Sequence, residues 1–415
     1  MSRLWFRLAV GVLVALVSLA SPVLAGASRL VVWTQFGETT AEYKAFRQLA
    51  DEFTNQTGTA VELVPVPWDD FIKKIGLAFP AGQGGDLIVT WPHDWIGQWA
   101  KQGLLMPLPD DVLGNERSQY PASSLQAVTY DGKLYGLPVT VESVALVYNK
   151  KLVPEPPATW AELVAMARRL NKGDQYGFLM PLLEQYHTYG IVRGFGGYVF
   201  KWTGSGYDYE DIGLNNEGAV QAFSFLRNLY LTERIFPPAV IDRSTQHAVT
   251  TGKFEEGKVG MQINGPWVIP GARKAGIDVG VALLPLLPNG KRMVPFTGVQ
   301  FVGINAYTPN KEAALTLAKM YASRHGQEVL FLATGRVPVR RDVLQLDSVK
   351  KDPFVAVWAK QAELGEPMPN IPEMQAVWKP WGDAMDVIVP GKGDVKPMMD
   401  KAVSQIRQGI ERMRR

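Results

Sequence analysis

Cysteine is absent from the 415-residue sequence, so neither a disulfide nor thiolate chemistry is available to it. Histidine is nearly as scarce. His93, His187, His247 and His325 are too dispersed to spell a metal site, and no metal or cofactor is expected. The patterns G-x-S-x-G, H-E-x-x-H and the P-loop do not occur, which removes the common hydrolase and nucleotide-binding signatures. The acidic cluster Asp208, Glu210, Asp211, Asn215 and Glu217 misses calcium-loop spacing and reads as a solvated loop. An excess of charge is missing too: 43 basic residues face 40 acidic ones. Near-neutrality gives no electrostatic reason to expect nucleic acid as a partner. The run Arg336 to Arg341 reads as solvated surface.

Only one long apolar run exists, from Leu8 to Leu19, behind Arg3 and Arg7 and ahead of the small-residue stretch to Ala27. This is the layout of an export signal over residues 1–27, with Ala25 and Ala27 spaced for processing and a mature start near Ser28. In Leu24-Ala25-Gly26-Ala27 an alanine stands where a lipobox needs its cysteine, so a free periplasmic protein is expected rather than a lipid-anchored one. The remaining chain is too long for one comfortable core and suggests two domains. No low-complexity linker separates them, which favours several short crossings over a single tether.

Hydrophobic periodicity gives an α/β alternation. Strands are expected at Arg29 to Trp33, Thr59 to Val66 and Asp86 to Thr90, with helices between them placing Tyr43, Phe46 and Phe53 on one face. Tyr130-Asp131-Gly132-Lys133 signals a hairpin, and Thr159 with Glu162 a capping box. Lys258 to Ile263, Val279 to Leu287 and Val299 to Asn305 read as further strands, and the last quarter as helix. Loops leaving strand ends are where open α/β sheets place ligands.

Nine of the twelve tryptophans, Trp33, Trp68, Trp91, Trp95, Trp99, Trp202, Trp267, Trp378 and Trp381, fall in short polar or glycine-rich neighbourhoods. Flat apolar faces beside Asp94, Glu142 and Glu184 suit a ligand with apolar faces and a hydroxyl rim, which is the shape of a sugar. Asp94 follows Trp91-Pro92-His93 at a strand end. Glu142 interrupts an apolar run and needs a donor, cation or ligand. Glu184 precedes Tyr186 and His187 and is followed by Gly194, Gly196 and Gly197. His93 reads as structural or as a support behind the site. Core packing is the alternative for Trp267, Trp378 and Trp381, as it is for Trp160 and Trp358. The pair Glu142 and Glu184 also keeps a glycoside hydrolase open.

The stretches Trp91-Pro92-His93-Asp94, Val141-Glu142-Ser143 with Val147-Tyr148-Asn149-Lys150, Gly196-Gly197-Tyr198-Val199-Phe200, Ile263-Asn264-Gly265-Pro266-Trp267 and Met368-Pro369-Asn370-Ile371-Pro372 occur in order. In these the chain resembles the maltose/maltodextrin-binding proteins of ABC sugar importers, trehalose/maltose-binding relatives included. The resemblance implies a two-lobed α/β periplasmic-binding-protein fold, each lobe a mixed sheet flanked by helices, with three crossovers and C-terminal helices. The N-terminal lobe would be 28–140 plus 296–342, and the C-terminal lobe 141–295 plus 343–415. It implies a monomer that captures an α-glucoside such as maltose, maltodextrin or trehalose by hinge closure and hands it to membrane permease subunits. A receptor of the same fold for a non-sugar solute is the other alternative. Trp91, Asp94, Glu142, Glu184, Tyr186, Trp267 and Trp378 match the family's binding residues. The family's first-loop Asp-Lys pair has no clean counterpart, and Glu38 is the substitute acid. Trp95 stands in place of an arginine, His187 in place of an aromatic residue, and Lys379, beside Trp378, in place of a tyrosine. These, with Trp381, complete the expected binding set.

Overall fold

The computed structural model describes residues 29–90 and 93–414, apart from the side chains of Trp68 and Asp69. The expected leader over 1–27, the start near Ser28, and Trp91 lie outside the described residues.

Alternation builds the first sheet. The strand Arg29–Thr34 buries Leu30, Val32 and Thr34 and pairs in parallel with Ala60–Pro65 and Leu87–Thr90. Between the first two runs the helix Ala41–Thr57, capped by Thr40 on the Tyr43 amide and stopped by Gly58 at φ 74°. Its buried face is Ala45, Phe46, Leu49, Ala50 and Phe53. The long strand Phe296–Ile304, buried throughout, enters antiparallel between Leu87–Thr90 and Leu137–Glu142. With Val337–Pro338 on one edge and Glu366–Pro367 beside Phe296 and Thr297, the mixed sheet has seven strands.

A second, four-stranded sheet runs in the order Val279–Ala282, Ala145–Asn149, Val259–Asn264, Tyr176–Leu179. Its two central strands are buried at every residue, as continuous apolar runs require when both faces are covered. One covering helix, Trp160–Leu170, starts at the expected capping box: Thr159 Oγ1 accepts from the Glu162 amide at 3.3 Å, and Glu162 Oε2 accepts from the Thr159 amide at 3.1 Å. The final helix, Val395–Arg414, buries Met399, Val403, Ile406 and Ile410 along one stripe.

Each sheet organises its own core. One contains Leu30 through Val139, Val299 through Leu330 and Val339; the other contains Val144 through Phe296, takes in Val337, and resumes from Phe354 to Ile410. The result is a two-lobed α/β fold with mixed sheets flanked by helices. No helix among the described residues is long and apolar enough to cross a membrane. One strand is shorter than its apolar run implies: Val279–Ala282 stops before Leu287 because the next amides turn elsewhere, Leu284 to Gln361 Oε1 at 2.9 Å and Leu286 to the Ala158 carbonyl at 2.9 Å.

Two buried polar side chains tie the lobes where they meet. His93 Nδ1 accepts from the Val299 amide at 3.1 Å, so Nε2 carries the hydrogen and donates to the Met368 carbonyl at 2.9 Å. Burial lowers its pKa to about 4, which keeps the ring neutral in this structural role. Asn370 Nδ2 lies at 3.0, 3.1 and 2.7 Å from the carbonyls of Gln126, Ala127 and Thr129, pinning a segment of the second lobe onto the first. Asn370→Ala takes a donor from the buried Ala127 carbonyl and from the part-buried carbonyls of Gln126 and Thr129, and urea unfolding is expected to show a loss of about 2 kcal/mol.

Candidate functional site

Loops and strand ends from both lobes meet around a cavity of about 630 Å³. Ile72, Asp94 and Trp95 form the first-lobe wall, and Glu142 projects from the end of the crossing strand. Glu184, Tyr186, His187, His247, Trp267, Met368 and Trp378 form the second-lobe wall.

Asp94 lies in the single-turn helix His93–Trp95 and is only 3% exposed. Its Oδ2 accepts from Trp378 Nε1 at 3.1 Å, and its backbone carbonyl accepts from Gln375 Nε2 at 2.8 Å. Its Oδ1 has no hydrogen-bond partner among the described residues. Burial drives the carboxyl up to about 7 against the opposing hydrogen bonds from Trp378 and Gln375. Near neutrality this group therefore changes between acid and carboxylate, with one acceptor atom uncommitted.

Glu142 is satisfied differently. Arg336 Nη1 lies 2.6 Å from its Oε2, and Arg336 Nε donates to Glu42 Oε1 at 2.9 Å. Burial pushes the Glu142 carboxyl up, and the guanidinium beside it counters this. Gly298 makes room for the arrangement: a Cβ there would stand 3.0 Å from Glu142 Cγ and 3.3 Å from the Tyr186 hydroxyl. That hydroxyl in turn donates to the Glu142 backbone carbonyl at 3.4 Å. The basic run Arg336 to Arg341 is thus not simply solvated surface. Arg336 and Arg340 are buried, the latter paired with Asp342 and Glu116.

Glu184 caps the helix Gln185–Phe195 by accepting the His187 amide at 3.0 Å, and the same oxygen lies 2.5 Å from His187 Nδ1. Burial opposes its ionisation, yet the hydrogen bonds from His187 and the charges of His187 and His247 hold the carboxyl at about 2. Trp267 follows Gly265 and Pro266 after the strand Val259–Asn264, with its ring centroid 6.3 Å from Tyr186 and 6.1 Å from His187. The wall they share is aromatic and rimmed by carboxylates.

Of the residues expected from sequence, Asp94, Trp95, Glu142, Glu184, Tyr186, His187, Trp267 and Trp378 line this cavity. Three do not. Trp381 is fully buried, stacked 6.3 Å from Trp378 with an interplanar angle of 4°, on the inward side of the helix Trp378–Ile388 with Met385 and Ile388. Lys379 projects from the opposite side into solvent and pairs with Asp383 at 2.7 Å. Glu38 is exposed in a shallow depression with Tyr43 and Arg47. The tryptophan scatter also divides: Trp99 is core, and Trp33 packs on Phe71 and Phe79. Trp202 stands on a hairpin against Tyr207 and lines a separate groove. Sequence reasoning missed Ile72, Met368, His247 and Arg336. Met368 opens one of the family-like stretches, whereas His247 and Arg336 carry no local signal.

The family model for bacterial extracellular solute-binding proteins matches residues 37–328. The chain belongs to that family. This solute-binding protein is 33% identical to the galactooligosaccharide-binding protein of Bacillus subtilis, over 92% of this chain and 90% of that one. It is 32% identical to the maltotriose-binding protein of Pyrococcus abyssi, over 93% and 83% respectively. The solved Thermus thermophilus maltotriose binding protein bound with maltotriose superposes with a TM-score of 0.83 at 36% identity, covering 92% of this chain and 100% of that chain. Solute-binding proteins are extracytoplasmic and non-catalytic, so the hydrolase alternative for Glu142 and Glu184 falls. The low pKa of Glu184 agrees, since a carboxyl held ionised is not a poised acid.

The raised pKa of Asp94 has a stability consequence. The folded solute-binding protein prefers the protonated acid, so this contribution is complete below the unfolded value near 3.8 and is lost as pH rises through about 7. Asp94→Asn is spared that loss. Urea unfolding at about pH 4.5 and about pH 8 is expected to show the variant gaining on the parent by about 3 kcal/mol with rising pH.

Proposed function

We propose that this protein is an oligosaccharide receptor that captures an α-glucoside, such as maltose, a maltodextrin or trehalose, and delivers it to the membrane permease subunits of an ABC importer. The observation that carries this reading is the cavity in which carboxylates and indole faces from both lobes converge. Rings of Trp95, Trp267 and Trp378 offer apolar plates to sugar faces, while Asp94 Oδ1 offers a buried acceptor to a hydroxyl. Glu142 and Glu184 complete the polar rim.

The ligand works by touching both lobes. Contacts made only when the walls are together favour the closed form, so binding energy shifts the population toward it. In this reading the moving bodies are 28–140 with 296–342 and 141–295 with 343–415. Residues 1–27 direct export, the mature monomer begins near Ser28, and it works in the periplasm without a lipid anchor.

The relatives differ in the sugars their names carry, maltotriose in one and galactooligosaccharide in another, and this chain has Trp95 and His187 where the maltodextrin pattern has an arginine and an aromatic residue. An indole in place of a guanidinium removes donors and adds a plate, which favours stacking over hydrogen bonding at that wall. Titration calorimetry with maltose, maltotriose, trehalose, sucrose and a galactooligosaccharide separates the alternatives. Heat and quenched tryptophan emission are expected with maltotriose or another of the glucosides. Saturation only by the galactooligosaccharide removes the α-glucoside, and silence with all five removes the sugar. Trp267→Ala and Trp378→Ala are each expected to weaken the bound sugar by about 1–3 kcal/mol, as loss of a stacking plate does. Lys379→Ala is expected to leave affinity unchanged because its side chain faces solvent.

A further inference from the structure

Two of the histidines that are remote in sequence meet at Glu184. His187 lies in the first turn of the helix that Glu184 caps, and His247 comes from the helix Gln246–Glu255, with the two ring centroids 5.3 Å apart. One ligating atom from each of Glu184, His187 and His247 lies within 4.8 Å of the other two.

The hydrogen bonds around His187 show what this group lacks. Asn264 Nδ2 donates to Gln262 Oε1 at 3.0 Å and Asn264 Oδ1 accepts the Gly265 amide at 2.9 Å, which fixes Oδ1 as an acceptor. His187 Nε2, 3.3 Å from that oxygen, must then carry a hydrogen. A neutral imidazole has only one. Its Nδ1 would therefore turn a lone pair onto Glu184 Oε2 at 2.5 Å, a repulsive contact unless a positive centre lies between them. A second proton fits that gap as it stands, and a metal ion fills the same need once the two atoms part to about 3.4 Å, the separation of tetrahedral ligands about 2.1 Å from one ion.

We propose that Glu184, His187 and His247 form a divalent transition-metal site of the zinc class in the cavity wall, with Glu184 and His187 Nδ1 as the inner pair and the His247 ring as third ligand. Two imidazoles and one carboxylate suit zinc and its neighbours rather than the oxygen-seeking magnesium or calcium. Asn264 holds the second nitrogen of His187, as the outer partner of a ligating histidine does. Ligands at about 2.1 Å from a common ion stand about 3.4 Å apart in a tetrahedron, so the Glu184–His187 pair must open and His247 must draw in. His247 is exposed and can rotate to do so. The remaining coordination position faces the cavity.

Glu184 cannot serve the ion and a sugar hydroxyl fully at once, so the two ligands oppose one another, reciprocally. This coupling rests on the oligosaccharide reading; the ion site does not. The test uses the full mature chain without an affinity tag. Zinc calorimetry and the visible absorption of added cobalt are expected to show one saturable equivalent, with His247→Ala and Glu184→Gln each weakening it by at least about tenfold. His325→Ala, which removes the surface histidine paired with Glu52, should change nothing. No saturable equivalent, or undiminished binding in His247→Ala with its circular dichroism intact, overturns the site and assigns the second proton to His187. Zinc is also expected to weaken maltotriose binding. Zinc bound with sugar affinity unchanged overturns the coupling alone, and zinc bound with no sugar heat under any condition overturns the oligosaccharide reading while the ion site stands.

Discussion

The hydrogen bond from Trp378 Nε1 to Asp94 Oδ2, 3.1 Å long, joins side chains that belong to different lobes and lie 284 positions apart in the chain. Everything at the cavity depends on both ends being in place. Asp94 is presented by a short turn that His93 fastens to Val299 and Met368, and Trp378 by a helix whose next inward residue, Trp381, is sealed in the second core. A carboxylate buried with half its acceptor capacity filled is costly unless another donor arrives. The fold tolerates that cost because the two lobes are each stabilised by their own sheet and apolar core, leaving the seam between them free to serve recognition.

Three carboxylates face this seam in three electrostatic conditions. Burial dominates at Asp94 and raises its pKa; at Glu142 burial also raises the carboxyl, but Arg336 opposes it; His187 and His247 hold Glu184 ionised. Hydrolysis of a glycosidic bond asks for an acid and a base matched across the bond. Here Glu142 and Glu184, the pair that hydrolysis would need, are instead fastened to protein partners, an arrangement for holding a polar ligand without changing it. Membership of a non-catalytic solute-binding family agrees with that chemistry.

Much of this was legible because local rules and tertiary structure coincide. The alternation at Leu30 and Val32, the apolar stripe of the helix Ala41–Thr57, and the capping box at Thr159 each need only a few neighbouring residues to be read. Asp94, Glu142 and Trp267 were legible for another reason: each is a polar or bulky residue set against a strand end, where local sequence cannot satisfy it. Trp381 and Lys379 were misplaced because helical phase, not proximity to Trp378, decides which side chain faces the cavity. Arg336 and His247 were out of reach. Their roles come from partners far along the chain, Glu142 for one and Glu184 with His187 for the other, and nothing within a few residues announces either.

The central claim is that a ligand touching both walls of this cavity draws the lobes together. Small-angle X-ray scattering of the mature protein, with and without saturating amounts of the tightest-binding sugar from calorimetry, tests it directly. A smaller radius of gyration with sugar, unchanged by a sugar that gives no heat, is the result expected from two-lobe closure. Superimposable scattering curves at full saturation would contradict it.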